Sequence, residues 1–317
     1  MSTPNIGILG YGLYIPETKM TAKDVSDATN GQWTEDAVVN KLGFTQKPVP
    51  GPNDGTQEMG VRAAKDAIER TGIDPNEIDV ILCGGEEYKE FPLTTSGIYI
   101  QEQIGASNAW AIDIQQRCNT TVAGMKMAKD MMLSDPEINT VLIVGGYRNG
   151  DHIDYTDPKV SFMFNLGAGA SAMILKKGHN ENVILGSHIM TDGTMARDAG
   201  VEFGGIVNPI NEMPQEIVDD FRARGNKTLR LMDAEHMKNR LNDVSLPNWY
   251  LCIDKALEKS GLTRADLGYF NILHFKRSMF DSMLQELGMT EDQSVYLSEY
   301  GHIGQEDQVI SIDEGLK

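Results

Sequence analysis

The chain has 317 residues, 40% of them apolar, and a formal net charge of −18. That length and composition bury a sizeable core, and the acidic balance argues against nucleic acid as a ligand. No apolar run reaches membrane-spanning length, the opening Met1-Ser2-Thr3-Pro4-Asn5 has no signal-like pattern, and Cys83, Cys118 and Cys252 show neither disulfide nor metal-ligand spacing, so a cytoplasmic protein without membrane or metal is expected.

In chain order, an apolar opening from Ile6 to Pro16 precedes an amphipathic helix, Lys65 to Thr71, that ends at Gly72. A polar turn leads to the strand Val80-Ile81-Leu82-Cys83, then to Glu86 and Glu87, the Phe91-Pro92 turn, a helix ending at Gly105 and a short strand, Trp110 to Ile112. Cys118 follows, directly before an unbroken helical stretch, Thr121 to Met132. A thiol there faces unpaired backbone N–H groups and the positive end of the helix dipole, which favours its thiolate and makes it a candidate nucleophile. The first half closes with strands Val141 to Val144 and Ala170 to Leu175.

The second half repeats the first. Lys65-Asp66-Ala67-Ile68-Glu69-Arg70-Thr71-Gly72 reads again, 189 residues later, as Asp254-Lys255-Ala256-Leu257-Glu258-Lys259-Ser260-Gly261. The strand Tyr269 to Leu273 stands in the same register to Val80, a helix ends at Gly288, and a second strand, Val295 to Leu297, precedes Gly301-His302-Ile303-Gly304. The nucleophile of one copy and the histidine turn of the other are thus expected face to face across a pseudo-twofold axis. The halves are 1–178 and 179–317, and the second stops at Lys317 without closing strands equivalent to those of the first, so strands at that end are expected to be missing or supplied by another chain.

In this order the Ile6 to Pro16 opening, Phe91-Pro92, the Cys118 elbow, Val141 to Gly146, Phe164-Asn165-Leu166-Gly167-Ala168-Gly169-Ala170, His274 and the 301–304 turn resemble the thiolase superfamily. The nearest likeness is to the β-ketoacyl-acyl-carrier-protein synthase III group, with its relatives the hydroxymethylglutaryl-CoA synthases and the Cys/His/Asp acyltransferases. The resemblance implies a layered α-β-α-β-α fold and an acyl-cysteine intermediate on Cys118, formed from acyl-CoA or an acyl-carrier-protein thioester, with no other cofactor. It implies a homodimer paired through Trp110 to Ile112. His274 and His302 are the expected hydrogen-bond donors to the second thioester.

The departures keep other chemistry open. The family's His-Gln-Ala-Asn is here His274-Phe275-Lys276-Arg277, which places Lys276 and Arg277 where a substrate's phosphates would lie. Gly-Asn-Thr-Ser is replaced by Gly301-His302-Ile303-Gly304, and a histidine can donate like the asparagine or act as a base. The pattern from Gly301-His302-Ile303-Gly304 to Asp307 also resembles the Cys/His/Asp acyltransferases, which implies transfer of the acyl group to an alcohol or amine as the alternative to condensation, with Asp307 either orienting the imidazole or solvated. Glu86 lies one residue from the place of the hydroxymethylglutaryl-CoA synthase acid, and Trp33 resembles the family's adenine-stacking tryptophan. A silent thiolase-fold partner subunit is the reading from another class.

Overall fold

Period-two alternation in the apolar strands gives one sheet two apolar faces, and helices cover both. The structure is a computed structural model describing residues 3–85, 88–223 and 228–317. Strand β1 (Ile6–Tyr14) leads to a short antiparallel pair, β2 (Lys19–Thr21) and β3 (Gln46–Pro48), with helices α1 (Ala22–Ala28) and α2 (Glu35–Ala37) between them. Then come α3 (Thr56–Thr71), β4 (Val80–Gly84), α4 (Ser96–Ile104), β5 (Trp110–Ile114), α5 (Thr120–Ser134), β6 (Thr140–Tyr147) and β7 (Gly169–Lys177). The sheet order is β1-β7-β6-β4-β5, with β4 parallel to both β5 and β6, and β7 antiparallel to β1 and β6.

Ile81, Cys83, Leu142, Val144, Ala172 and Ile174 point to the face covered by α3 and α4, where Met59, Ala63, Ala67 and Ile100 meet them. Val80, Leu82, Val141, Ile143, Met173 and Leu175 point to the other face, against Ala128 and Met132 of α5. Burying each large side chain contributes roughly 1.5–3 kcal/mol. This layering lets α5 start at the carboxyl ends of β4 and β5. The edge strand β5 keeps Trp110 and Ile112 exposed.

Past β7 come β8 (Ala199–Val201), α6 (Gln215–Ala223) and β9 (Leu229–Leu231), then α7 (Ala234–Ser260), α8 (Arg277–Leu287) and α9 (Asp307–Gly315). The helices α3, α4, α7 and α8 end where the sequence places their stops, at Gly72, Gly105, Gly261 and Gly288, each in the left-handed conformation. The expected strands at Tyr269 to Leu273 and Val295 to Leu297 are corrected: neither joins a ladder among the described residues. Their polar groups go elsewhere. Phe270 N–H donates to Gln293 O (2.8 Å), Ser294 Oγ donates to Phe270 O (2.7 Å), and Tyr296 Oη donates to Phe275 O (2.7 Å). Val309 of α9 packs into the α5-side core, which brings the 301–307 segment against the start of α5. No helix among the described residues is long and apolar enough to cross a membrane.

Candidate active site

The chain leaves β5 at Ile114 and must turn sharply to enter α5. It does so through a single turn of 3-10 helix, Arg117–Asn119, in which Arg117 takes φ +51, a conformation that residues with a side chain rarely adopt. Thr120 holds the turn: its hydroxyl accepts from Gln116 N–H (2.8 Å) and donates to Arg117 O (2.7 Å). Asn119 at the helix start makes no side-chain capping bond, so half-buried Cys118 sits beside the positive end of α5.

His302 comes from the opposite side of the site. Its turn needs glycine at both ends: Gly301 has φ +61 and a Cβ there would lie 2.3 Å from Asn165 O, while Gly304 has φ +59 and would strike the Tyr147 ring at 2.3 Å. The His302 backbone is hung on the segment before β7, its N–H donating to Asn165 O (2.9 Å) and its carbonyl accepting from Gly167 N–H (2.9 Å). Its ring then reaches Cys118 Sγ through Nε2 at 3.1 Å and Asp307 Oδ2 through Nδ1 at 2.6 Å.

Asp307 is fully buried at the start of α9 and its carboxylate is surrounded by donors. Oδ2 also accepts from His274 N–H (2.8 Å), and Oδ1 accepts from Ile303 N–H (2.7 Å). Burial works against the His302 imidazolium. The carboxylate of Asp307 and the sulfur of Cys118 outweigh it and hold His302 well above the usual histidine range. The result is a sulfur, an imidazole and a carboxylate in line, the arrangement that lets a thiol pass its proton to Nε2.

His274 is placed differently from the expectation of two histidines flanking one carbonyl. Its Nε2 lies 3.1 Å from Gly43 O and its Nδ1 3.1 Å from Asn165 Nδ2, with the Tyr296 ring 5.1 Å away. A carbonyl can only accept, so Nε2 carries the hydrogen and Nδ1 accepts from the amide. Burial pushes its pKa down to about 4 despite the Gly43 bond, leaving the ring neutral. Both ring nitrogens are engaged, and His274 reaches the sulfur's neighbours through its backbone bond to Asp307 and through Asn165, not by a ring bond to His302 or Cys118.

The remaining candidates lie apart from this line. Arg277 pairs with Asp281 (2.7 Å) and Glu291 (2.5 Å) at the start of α8, while Lys276 is exposed one residue before it. Trp33 packs edge-on against Phe164, their centroids 6.1 Å apart, in a cluster with Val25, Val38 and Leu42. Glu86 lies outside the described residues. Two groups that pattern reasoning passed over stand next to the histidines: Asn165, and the fully buried Lys47 beneath it. Asn165 sits in the Phe164 to Ala170 stretch on which the resemblance partly rests, with no role given to its side chain; Lys47 carries no motif at all.

The sequence matches the 3-oxoacyl-[acyl-carrier-protein] synthase III family over residues 112–193 and the C-terminal family of the same synthases over 257–317. The β-ketoacyl-[acyl-carrier-protein] synthase III of Sulfurovum sp. is 27% identical over 308 residues, which cover 96% of this chain and 85% of that protein. Its counterpart in Clostridium acetobutylicum is 25% identical over 313 residues, covering 98% and 89%. In fold, the chain is similar to the 3-oxoacyl-[acyl-carrier-protein] synthase III of Aquifex aeolicus, with a TM-score of 0.79 at 17% identity over 98% of this chain and 90% of that one. It is equally similar to the priming β-ketosynthase of the R1128 polyketide pathway, at 0.77 and 23% over 99% and 89%. In sequence and in fold the chain is thus similar to the ketoacyl synthase III-like condensing enzymes. Here the Gly301-His302-Ile303-Gly304 turn occupies the place of the usual Gly-Asn-Thr-Ser, and the geometry gives the change a consequence. An asparagine amide could donate to a carbonyl there but could not take a proton from Cys118.

Proposed function

We propose that this chain is an acyl-thioester condensing enzyme in which Cys118 carries the acyl group, His302 moves the proton and Asp307 orients and charges His302. The observation that carries this reading is the 3.1 Å approach of His302 Nε2 to Cys118 Sγ at the start of α5. Cys118 Sγ gives its proton to Nε2 and attacks the carbonyl carbon of an acyl-CoA or acyl-carrier thioester. The C–S bond to the carrier breaks, and the departing sulfur takes the proton back. A malonyl thioester then enters and loses carbon dioxide. Its enolate attacks the acyl carbon, and the Cys118–acyl bond breaks to release a 3-oxoacyl thioester. The proton that Nε2 gave to the departing sulfur is replaced from solvent, the Asp307 carboxylate favouring the imidazolium; Nε2–H can then donate to the second carbonyl as negative charge develops on it and pass the proton to the Cys118 sulfur as it leaves.

A second reading, acyl transfer to an alcohol or amine, is favoured by the Asp307–His302–Cys118 alignment itself and by the engagement of both His274 ring nitrogens. In that case Nε2 takes the acceptor's proton as its oxygen or nitrogen attacks the acyl carbon. The exposed Trp110 and Ile112 on the edge strand β5 support a homodimer that continues the sheet, and the absence of a spanning helix among the described residues fits a cytoplasmic enzyme. The test is a chase of the isolated acyl-enzyme. Carbon dioxide release with a 3-oxo product on adding malonyl-CoA or a malonyl carrier supports condensation, transfer to a simple amine or alcohol without carbon dioxide supports the second reading, and an inert acyl-enzyme refutes both.

A further inference from the structure

Lys47 is the one fully buried lysine described, and the catalytic line does not use it. An ammonium in a core is costly unless each of its donors is matched, and burial pushes this one down to about 7. Its three acceptors work the other way: Nζ donates to Tyr155 Oη (2.7 Å), Phe164 O (2.7 Å) and Leu166 O (2.8 Å), which is all the hydrogen-bonding capacity a lysine has. No carboxylate among the described residues pairs with it. The two carbonyls flank Asn165. The chain turns at Phe164 and Asn165 as it leaves the preceding short helix, and this turn offers Phe164 O and Leu166 O to Lys47 and Asn165 O to the His302 N–H. Asn165 also turns its side chain onto His274, and the Lys47 side chain lies 3.2 Å from where a Cβ of Gly301 would stand.

We propose that Lys47 is a positioning residue for the proton transfer: by clamping the peptides on either side of Asn165 it fixes the backbone that carries His302, and so sets Nε2 on the Cys118 sulfur. A methionine of similar volume would pack the same space without the desolvation cost, so ordinary core packing does not call for an ammonium here. The inference rests on the Cys118–His302 contact and not on which acceptor takes the acyl group.

The experiment reads alkylation at Cys118, resolved from Cys83 and Cys252 by peptide mapping alongside the intact mass. Reaction of the full chain with iodoacetamide is followed by intact mass across pH, in the wild type, Lys47→Met and Tyr155→Phe, with thermal unfolding measured in parallel. Tyr155→Phe removes one acceptor while leaving both carbonyl contacts. Both variants are expected to lose thermal stability. Only Lys47→Met is expected to slow alkylation of Cys118 near neutral pH by about tenfold or more, the scale on which small misplacements of reacting groups act, with its pH profile moving toward that of an unassisted thiol. A folded Lys47→Met protein alkylated at the wild-type rate overturns the proposal, and so does equal slowing in Tyr155→Phe, which would make the cluster a stabilising feature only. If Lys47→Met is insoluble, Lys47→Gln, smaller and uncharged, is read by the same two outcomes.

Discussion

Replacing Asp307 by asparagine keeps the shape of a buried side chain and removes its charge. The carboxylate accepts from three donors, His302 Nδ1–H, His274 N–H and Ile303 N–H. An amide turned with its oxygen toward the two histidine donors sets its NH2 against Ile303 N–H; turned the other way, it sets NH2 against both histidines. The first orientation costs one satisfied buried donor, about 1–3 kcal/mol, and weakens a charge-assisted bond by a similar amount, so the fold should lose roughly 2–6 kcal/mol. The second would give His302 the tautomer with hydrogen on Nε2, which cannot take a proton from the thiol. In both, His302 loses the charge that chiefly opposes burial. Since positioned general bases contribute about 10²- to 10⁴-fold, acylation of Cys118 in Asp307→Asn should fall at least about 10²-fold. The assay is quenched-flow intact mass with a short acyl-CoA, alongside urea unfolding. Because the folded pKa of His302 is raised, the stability its pairing adds is complete below the unfolded value, about 6.5, and is lost as pH rises through the folded value. The stability gap between wild type and variant should therefore be widest near pH 6 and narrow at alkaline pH. Acylation within about threefold of wild type at pH 7 would refute the reasoning, because so small an effect lies below the range of a working base.

His302→Asn keeps a donor but no proton acceptor, so acyl loading should slow about 10²-fold; once loaded, the variant should still condense with a malonyl thioester if the enzyme makes carbon–carbon bonds, and loss of that chase would favour transfer to oxygen or nitrogen. His274 is neutral in the fold, with a pKa near 4, and protonated when unfolded below about 6.5, so the unfolded chain binds more protons between those values and stability rises with pH across that window. The group should contribute about 3 kcal/mol of acid destabilisation, and His274→Gln should show a shallower loss between pH 6.5 and 4 in urea titrations; an unchanged acid slope would contradict the assignment. Sedimentation at micromolar concentration should show a dimer that Ile112→Lys weakens, and a species of 35.0 kDa alone would contradict pairing through β5.

The sequence made the first half of the fold legible because its strands are continuous apolar runs closed by glycine stops, and Cys118 was visible from its place before a helix. His302 and Asp307 were legible as a pair only through the likeness of their Gly-His-x-Gly-x-x-Asp pattern to the Cys/His/Asp acyltransferases. What that pattern could not show is that the left-handed Gly301 and Gly304 on either side of His302 bend the chain so that Asp307, at the first residue of α9, folds back against the ring. The role of His274 was harder to read, since a histidine after an apolar stretch has the same local pattern whether its ring faces substrate or, as here, Gly43 and Asn165. The strands expected at 269–273 and 295–297 have the right residues, but a strand needs a neighbour to bond with, which local pattern does not supply. Lys47 gave no signal because its acceptors, two main-chain carbonyls and the Tyr155 hydroxyl, lie more than a hundred residues away.

The central claim is that Cys118 is the acyl carrier and that His302 activates it. Incubation with a short acyl-CoA, followed by intact mass and peptide mapping, tests it most directly. One acyl group should appear on Cys118 and be absent from Cys118→Ala, with the buried Cys83, whose thiol burial pushes well up, and Cys252 unlabelled. An acyl mass that maps to Cys83 or Cys252, or that persists in Cys118→Ala, would contradict the account.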